Sequence, residues 1–317
     1  MRVKFWGTRG SLPVALTAEM VRHKLISAFT AAIGVSLDTP EAILNFVSEG
    51  LPFEIAGTFG GHSSCVQLDC GCSEFVLLDL GSGARPFSNH AMAESGGKGR
   101  YHIFLSHLHW DHINGFPFFV PAYIPGNRIT IYGGHASLRE AFAAQQYTPF
   151  FPVDFAMLGA EIDFVQLAPG QCYDIAGMTV SIMKQRHHGD SYGYRFEKDG
   201  RIFVYATDAE HKPEDASQLT EVIRFFKDAD AVVFDAMYSL ADALSIREEW
   251  GHSSNMIGVE LCHLAGVKRL CLFHHDPALN DDKLMGIHRA TIRLEEIVRV
   301  EQPIEIISAF DGMELLL

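Results

Sequence analysis

Hydrophobic and polar positions alternate in short runs along most of the chain, and a few longer segments repeat apolar residues at helical spacing. Short apolar and β-branched runs bounded by turn residues are typical of strands, and apolar residues at i, i+3 and i+4 are typical of helices. The predicted strands are Val3–Trp6, Cys65–Asp69, Phe75–Leu80, Tyr101–Leu105, Ile129–Tyr132, Asp163–Gln166, Met178–Met183, Tyr192–Glu197, Ile202–Ala206, Ala231–Phe234, Val267–Phe273, Glu305–Ser308 and Met313–Leu317. The predicted helices are Ala18–Ile33, Pro40–Glu49, Leu138–Gln145, Ala216–Lys227, Asn255–Ala265 and Asp281–Val300, with Ser253 and Asp281 as candidate N-caps of the last two.

The order of these elements predicts the fold class. Strands dominate the first third, helices fall between the later strands, and two strands close the chain. A four-layer αββα sandwich of the α/β (α+β) class, with two mixed sheets face to face and helices outside, would bury this pattern. We see no linker or repeat, and therefore expect a single domain over residues 1–317.

A helical insertion is expected at about residues 14–57, because two amphipathic helices interrupt the early strands there. Its apolar positions, including Met20, Leu25, Phe29 and Ile33, are spaced for a buried stripe. Packing on the same chain is the simpler interpretation of that stripe. A lid over the site or the contact of a possible homodimer is the alternative.

Composition narrows the possible partners. The chain has 317 residues, and its 25 Lys and Arg against 39 Asp and Glu give a net charge of −14. That charge argues against a broad grip on nucleic acid. No stretch approaches the roughly 18 to 20 apolar residues that span a bilayer, and no apolar signal segment is visible at the N-terminus. We therefore expect a cytoplasmic protein with no membrane partner. Cys70-Gly71-Cys72 is most simply a turn between two strands, with half of a metal knuckle as the alternative.

The clearest chemical signal is Ser-His-Leu-His-Trp-Asp-His at residues 106–112, directly after a predicted buried strand. A loop leaving a strand can turn several imidazoles inward, whereas a helix would spread this spacing over more than one face. Three imidazoles and a carboxylate suit one or two borderline metal ions. The candidate ligands of this loop are His107, His109, Asp111 and His112.

Four later polar clusters could supply further ligands, and three of them follow predicted strands. Strand ends are where the sites of open α/β sheets gather. A single histidine is more often structural than ligating, but the joint placement of these clusters predicts one shared site. The clusters are Arg186–Asp190, Thr207–His211, Gly251–Ser254 and Phe273–Pro277.

The H-x-H-x-D-H motif and these clusters together resemble the metallo-β-lactamase-fold hydrolase superfamily over most of the chain. Within it the chain looks most like the phosphodiesterase branch, which includes tRNase Z and cyclic-phosphodiesterase-like proteins. His62 departs from the Asn commonly found in its loop. The likeness to the branch is carried by Gly7–Ser11, Gly60–Cys65, His187 with Tyr192–Arg195, Tyr205–Asp208, Asp235, Gly251–Ser253 and Leu272–Pro277.

The resemblance implies two divalent metal ions, and the residues for each follow from the matching motifs. Zinc fits the imidazole-rich set, and manganese or iron would also fit. Asp79 is implied as a support for the histidine loop, while His188 and His275 are neighbours that could replace His187 and His274. The implied ligands are His107, His109 and His187 for one ion, Asp111, His112 and His274 for the other, and Asp208 as the bridge.

The resemblance also implies a metal-dependent hydrolase, and specifically a phosphodiesterase for a small cyclic or nucleotide-type diester. A hydroxide shared by the ions would attack phosphorus, oriented by Asp111, and His252 held by Asp235 would protonate the leaving group. The tRNA of relatives is not expected as a partner, since no Gly/Pro-rich arm appears between Gly126 and Arg186. Carboxylic ester, thioester or lactone hydrolysis is the alternative; a non-catalytic metal module or a di-iron oxidoreductase is less favoured.

Two other groups of residues have open roles. Arg9, Arg85 and Arg195 are possible phosphate contacts, although such arginines are more often solvated or paired. The aromatic segment Phe116–Ile124 could line a pocket for a flat base or could equally be core.

Overall fold

The computed structural model describes residues 1–212, 215–237, 251–300 and 302–317. Strands and helices alternate through these ranges much as the hydrophobic pattern predicts. The strands are β1 Arg2–Gly7, β2 Cys65–Asp69, β3 Phe75–Leu78, β4 Arg100–Phe104, β5 Arg128–Gly133, β6 Glu161–Gln166, β7 Cys172–Ile175, β8 Met178–Gln185, β9 Ser191–Lys198, β10 Arg201–Ala206, β11 Ala231–Asp235, β12 Arg269–Phe273, β13 Glu305–Ser308 and β14 Glu314–Leu316.

The α-helices vary from single turns to five turns. Over the described ranges, none combines the length and the apolarity that crossing a bilayer requires. They are α1 Ala18–Ala31, α2 Pro40–Asn45, α3 Phe53–Ala56, α4 Ala84–Ser95, α5 Trp110–Ile113, α6 Leu138–Gln145, α7 Ala216–Phe226, α8 Asn255–Ala265 and α9 Asp281–Val298.

The strands form two mixed sheets of seven strands each. The first sheet has the order β14-β1-β2-β3-β4-β5-β6, and the second has the order β13-β12-β11-β10-β9-β8-β7. Strands β3 to β6 are parallel, as are β10 to β13, so their carboxyl ends meet at one edge of each sheet. This edge is where polar residues follow the strands.

Three apolar layers hold the sheets and helices together. The layer between the sheets contains Phe5, Phe104, Tyr194 and Phe273, all fully buried. A second layer joins the first sheet to α4 and α6, and a third joins the second sheet to α7, α8 and α9. The predicted four-layer αββα sandwich is therefore confirmed.

The structure differs from the sequence-based elements in a few places. Helix α4 was not predicted, because small or polar residues occupy most of its buried stripe of Ala84, Phe87, Ser88 and Ala91. The short edge strand β7 was also not predicted. The N-caps of α8 and α9 are Ser254 and Asn280, so the predictions of Ser253 and Asp281 were each wrong by one residue.

The helical segment at about 14–57 does not bury its apolar stripe on the same chain. Helices α1, α2 and α3 contain no buried residue, and Phe29 and Ile33 are 72% and 81% exposed. The expectation of packing on the same chain was wrong. Polar contacts help to attach α1: the Lys24 ammonium lies 2.7 Å from Asp281 Oδ2 and donates to the Gly57 carbonyl at 2.8 Å.

Candidate metal centre and active site

The candidate site lies where the carboxyl ends of both sheets face each other, and sharp bends in the backbone turn its side chains inward. Asp79 follows β3, Asp208 closely follows β10 and His274 follows β12, with φ angles of 59°, 49° and 59°. These left-handed conformations are uncommon for residues other than glycine, and each costs on the order of 1–3 kcal/mol. The packed sheets hold these bends in place.

A first group of potential metal-binding atoms comes from His107, His109 and His187, whose nitrogens lie within 4.8 Å of one another. His109 Nδ1 lies 2.8 Å from His107 Nε2 and 3.2 Å from His187 Nε2. Burial, reinforced by neighbouring imidazoles, lowers the pKa of His107 well below its usual value and also lowers those of His109 and His187. The three rings are therefore neutral at physiological pH, which is the form that binds a metal.

A second group comes from Asp111, His112, Asp208 and His274, all buried and likewise within 4.8 Å. His112 Nε2 lies 3.2 Å from Asp111 Oδ2 and 3.3 Å from Asp208 Oδ1. His274 Nε2 lies 3.1 Å from Asp111 Oδ2 and 3.3 Å from Asp208 Oδ2. Two imidazoles and two carboxylates thus converge on one point.

Asp208 faces both groups. Besides its contacts with the second group, its Oδ2 lies 3.7 Å from His107 Nε2 and 3.8 Å from His187 Nε2. Burial opposes ionisation of this carboxyl, but attraction to His274 and His112 outweighs burial and holds its pKa well below the usual range. An ionised carboxylate between two sets of nitrogens is suited to bridge two cations.

The hydrogen bonds of two histidines fix which nitrogen faces the centre. His112 Nδ1 lies 2.7 Å from Asp79 Oδ2, and His187 Nδ1 lies 2.7 Å from the Gly251 carbonyl oxygen. Since a carbonyl oxygen can only accept, His187 donates from Nδ1, and its neutral ring presents the Nε2 lone pair to the site. Within the described ranges, His112 Nε2 is buried and makes no hydrogen bond. Such outer hydrogen bonds are what orient metal-binding histidines, so the residues present fit a divalent metal.

The electrostatic environment of His112 also fits a divalent metal. Burial alone would lower the pKa of His112, yet Asp111, Asp208 and Asp79 raise it well above its usual value. The carboxylates therefore create a negative potential at this buried point. A divalent cation would offset this negative potential better than a single proton, because the cation carries twice the charge.

Asp79 holds the histidine loop in place, as the sequence predicts. Its carboxylate accepts hydrogen bonds from Ser106 N at 2.8 Å, Ser106 Oγ at 2.7 Å and Tyr205 Oη at 2.8 Å, in addition to His112. The loop after α5 also packs tightly on the end of β3: a Cβ at Gly115 would lie 1.9 Å from the Gly81 oxygen. Glycine is therefore required at that position.

Asp235 and His252 form a pair at the rim of the two groups. His252 Nδ1 lies 2.7 Å from Asp235 Oδ2, and its ring stacks on His274 with centroids 5.1 Å apart. Burial would lower the pKa of His252, but attraction to Asp235 outweighs burial and raises the pKa to about 9. The ring is therefore protonated at neutral pH.

The structure distinguishes between adjacent histidines that the sequence leaves open. His188 is exposed and lies outside both donor groups, whereas His187 lies within the first. His275 Nε2 donates to the Ala309 carbonyl at 2.7 Å, and burial lowers the pKa of His275 to about 4. The site thus contains His187 and His274, and His275 packs beside it as a neutral core residue.

Other candidates have structural roles or lie elsewhere. Arg9 is buried and donates to the carbonyls of Gly60, Asp276 and Leu279, and Arg195 donates to those of Phe225 and Lys227. Arg85 is exposed on α4. Phe116 and Phe119 are fully buried core residues, and within the aromatic segment Phe118 is the phenylalanine that is exposed.

Three contacts of the site were missed in the sequence. Ser11 N donates to Asp111 Oδ2 at 2.8 Å, and Tyr205 is one of the partners of Asp79. His135 Nε2 donates to the carbonyls of Gly189 at 3.1 Å and Asp190 at 2.9 Å, in the turn that follows His187. The only sequence hint for His135 is its position after β5, at the same edge as the other site residues.

A comparison with protein families assigns the fold. Residues 68–275 match the beta-lactamase superfamily domain. The chain belongs to the beta-lactamase superfamily. It is 25% identical to ribonuclease Z of Methanosarcina mazei over 285 residues, which covers 73% of this chain and 89% of the relative.

Solved structures agree on the fold of this superfamily member. YhfI from Bacillus subtilis, a metallo-beta-lactamase fold protein, has a TM-score of 0.65 at 16% identity and covers 99% of this chain and 98% of its own. A diphosphatase from the PhnP family has a TM-score of 0.59 at 18% identity, with coverage of 100% and 97%. Family, relative and histidine-aspartate cluster identify the chain as a metal-dependent hydrolase related to phosphodiesterases.

Proposed function

We propose that the protein is a dinuclear metal-dependent phosphodiesterase that cleaves a small cyclic or nucleotide-type phosphodiester. The observation that carries this proposal is the shared carboxylate of Asp208, which faces two sets of ligand atoms beside the Asp235–His252 pair. One set would bind each ion. Zinc suits the five imidazoles best, and manganese or iron could occupy the same ligands.

The proposed ligands are His107, His109 and His187 for one ion, Asp111, His112 and His274 for the other, and Asp208 for both. When bound, two such ions supply a hydroxide nucleophile at neutral pH and offset the charge that develops on a phosphoryl group. The outer contacts keep the ligands ready for this role. Asp79 holds His112, the Gly251 carbonyl holds His187, and the Ser11 amide holds Asp111.

His252 is proposed as the general acid. Its Nδ1 contacts Asp235, so its Nε2 carries the proton that can be transferred to the leaving oxygen. The raised pKa keeps this proton in place at neutral pH. Asp235 is thus a positioning residue, because it orients the ring and stabilises its charged form.

The substrate proposal rests on size and charge. Between Gly126 and Arg186 the chain builds β5, α6, β6, β7 and β8, and these ordinary elements take the place of a long arm for tRNA. The net charge of −14 also disfavours a polyanion. The PhnP-family neighbour, named a diphosphatase, has the same fold and supports a compact phosphate-containing substrate.

RNA is the second candidate substrate. The Methanosarcina mazei relative is a ribonuclease Z, and the match covers 89% of that relative. The site chemistry would be the same for RNA, since both reactions cleave a phosphodiester. What differs is the surface that holds the rest of the substrate. The two candidates are therefore separated by substrate preference.

The test is a substrate panel for the metal-loaded protein: 2′,3′- and 3′,5′-cyclic nucleotides, a precursor tRNA with a 3′ extension, and p-nitrophenyl acetate. We expect kcat/KM to be highest for a cyclic nucleotide. Preferential cleavage of the precursor tRNA would establish the second candidate. Turnover of the acetate alone would overturn both and establish carboxylic ester chemistry. An Asp208→Ala variant provides the blank in each assay.

A further inference from the structure

Cys70 and Cys72 form a close thiol pair far along β2 and β3 from the metal ligands. They flank Gly71 in the turn between these strands, and their sulfur atoms lie 2.7 Å apart. Non-bonded heavy atoms normally approach to roughly 3.5–4.0 Å, while a disulfide bond is about 2.05 Å long. The two sulfurs are therefore already inside ordinary contact distance.

The backbone of the turn fixes this arrangement. Gly71 has a φ of 73°, which residues with a side chain rarely adopt, and its amide donates to Asp69 Oδ1 at 2.8 Å. The turn therefore brings the cysteine side chains together before any bond is made. By contrast, Cys172 on β7 is exposed and contacts the Ser181 hydroxyl at 3.3 Å.

The pair also lies at a contact between the two sheets. The Cys70 carbonyl accepts from Lys198 Nζ at 2.8 Å, and Cys70 Sγ lies 3.8 Å from the Ala176 oxygen. Lys198 ends β9 and Ala176 lies in the turn between β7 and β8, so both contacts reach the second sheet. A change in the bonding of Cys70 would therefore alter this contact between the two sheets.

We propose that Cys70 and Cys72 form a reversible disulfide, which makes the β2–β3 turn a thiol–disulfide exchange site for small disulfides of the glutathione class. This inference is independent of the hydrolase activity. It rests on the sulfur contact, the pre-formed turn and the difference in burial between the two thiols.

The difference in burial determines which of the two cysteines reacts first. Cys72 is half-buried, whereas Cys70 is buried, and burial together with the contact from Cys72 raises the pKa of Cys70 to about 11. The Cys72 thiolate attacks oxidised glutathione first, and one glutathione thiolate leaves. The Cys70 sulfur, after losing its proton, then attacks Cys72 Sγ and releases the second glutathione. Two protein thiols are oxidised, one small disulfide is reduced, and the two protons end on the two glutathione thiols.

The test is mass spectrometry of the full chain after equilibration with oxidised glutathione, followed by peptide mapping. We expect peptide mapping of the wild type to show a Cys70–Cys72 crosslink, two hydrogen atoms lighter than the free thiols, that excess reduced glutathione reverses. The Cys172→Ser variant should give the same crosslink. The Cys70→Ser variant should instead gain one glutathione on Cys72, because the second attack is removed.

Two outcomes would overturn the proposal. One is a wild-type protein in which Cys70 and Cys72 both remain free thiols in excess oxidised glutathione. The other is a stable gain of glutathione on Cys72 of the wild type, which would show that Cys70 does not attack the mixed disulfide. Both are read from the wild type, so neither depends on how a variant folds.

Discussion

At the scale of single residues, the Asp235–His252 pair determines how activity should depend on pH. A general acid must be protonated, and attraction to Asp235 raises the pKa of His252 to about 9. We predict that kcat holds between pH 7 and 8 and falls as the pH rises through about 9. An Asp235→Asn variant removes the charge that raises this pKa, so its decline should begin at lower pH.

The measurement is the pH profile of kcat for both proteins at full metal loading.

Removal of the proposed general acid should slow the reaction. His252→Ala should lower kcat by about 100-fold or more, within the usual range for general acid catalysis, while retaining its metal. Loss of metal from His252→Ala would instead make this histidine a ligand. A His90→Ala variant, on the surface of α4, serves as the control.

The adjacent histidines 187 and 188 offer a matched pair for the metal ligands. His187 Nε2 faces His109 and Asp208, whereas His188 is exposed outside the donor groups. We predict that His187→Ala binds one metal ion fewer per chain and that His188→Ala binds as many as the wild type. Elemental analysis of the dialysed proteins measures this, and equal metal content in the two variants would contradict the assignment.

The residue types of this site could be predicted from the sequence, but their geometry could not. The compact motif of His107 to His112 shows the chemistry directly, since few structural loops concentrate so many ligand groups. The choice between His274 and His275 depends on the bend at φ 59°, which turns the first toward the cleft and the second toward Ala309. No local pattern encodes that bend, because the packed sheets impose it.

At the scale of elements, the loop after β5 supports the loop after β8. His135 donates to the carbonyls of Gly189 and Asp190 and so fixes the turn that follows His187. We predict that His135→Ala weakens metal binding by about 10-fold to 100-fold, the usual effect of removing an outer contact. Competition with a chromogenic chelator measures the affinity. An unchanged affinity would show that the turn holds without His135.

The predictions for helix α4 and for the insertion at about residues 14–57 were the least successful, for different reasons. Helix α4 buries mainly small side chains, so its stripe is weak in the hydrophobic pattern although it covers the first sheet. The insertion has a strong stripe, yet the stripe is exposed. Periodicity reports that a helix has an apolar face and not which surface covers it. The alternative for this face, a lid over the site or a homodimer contact, stays a prediction.

At the scale of the whole molecule, a buried neutral histidine should make the fold sensitive to acid. His211 is buried against Phe234, and neither of its ring nitrogens has a hydrogen-bond partner among the residues that the structure describes. Burial lowers its pKa from 6.5 to about 4. Below pH 6.5 the unfolded chain binds a proton that the folded chain does not. The free energy of unfolding should therefore fall by about 3 kcal/mol as the pH drops from 6.5 to 4.

Urea unfolding of the wild type and of His211→Phe across this pH range measures the effect. The variant keeps a flat ring against Phe234 and cannot titrate, so its stability should fall less steeply with acid. His23→Ala, which removes an exposed histidine of α1, is the matched control. Parallel slopes for His211→Phe and the wild type would show that His211 titrates normally.

The two sheets bring metal-binding side chains together from distant parts of the chain, and the central claim is that these side chains support phosphodiester hydrolysis. The most direct test is hydrolysis of bis(p-nitrophenyl) phosphate by protein reconstituted with zinc or manganese, with Asp208→Ala alongside. We predict metal-dependent turnover by the wild type and none above background by the variant, because Asp208 faces both donor groups. No turnover by the wild type with either metal, or equal turnover by the variant, would contradict a dinuclear phosphodiesterase.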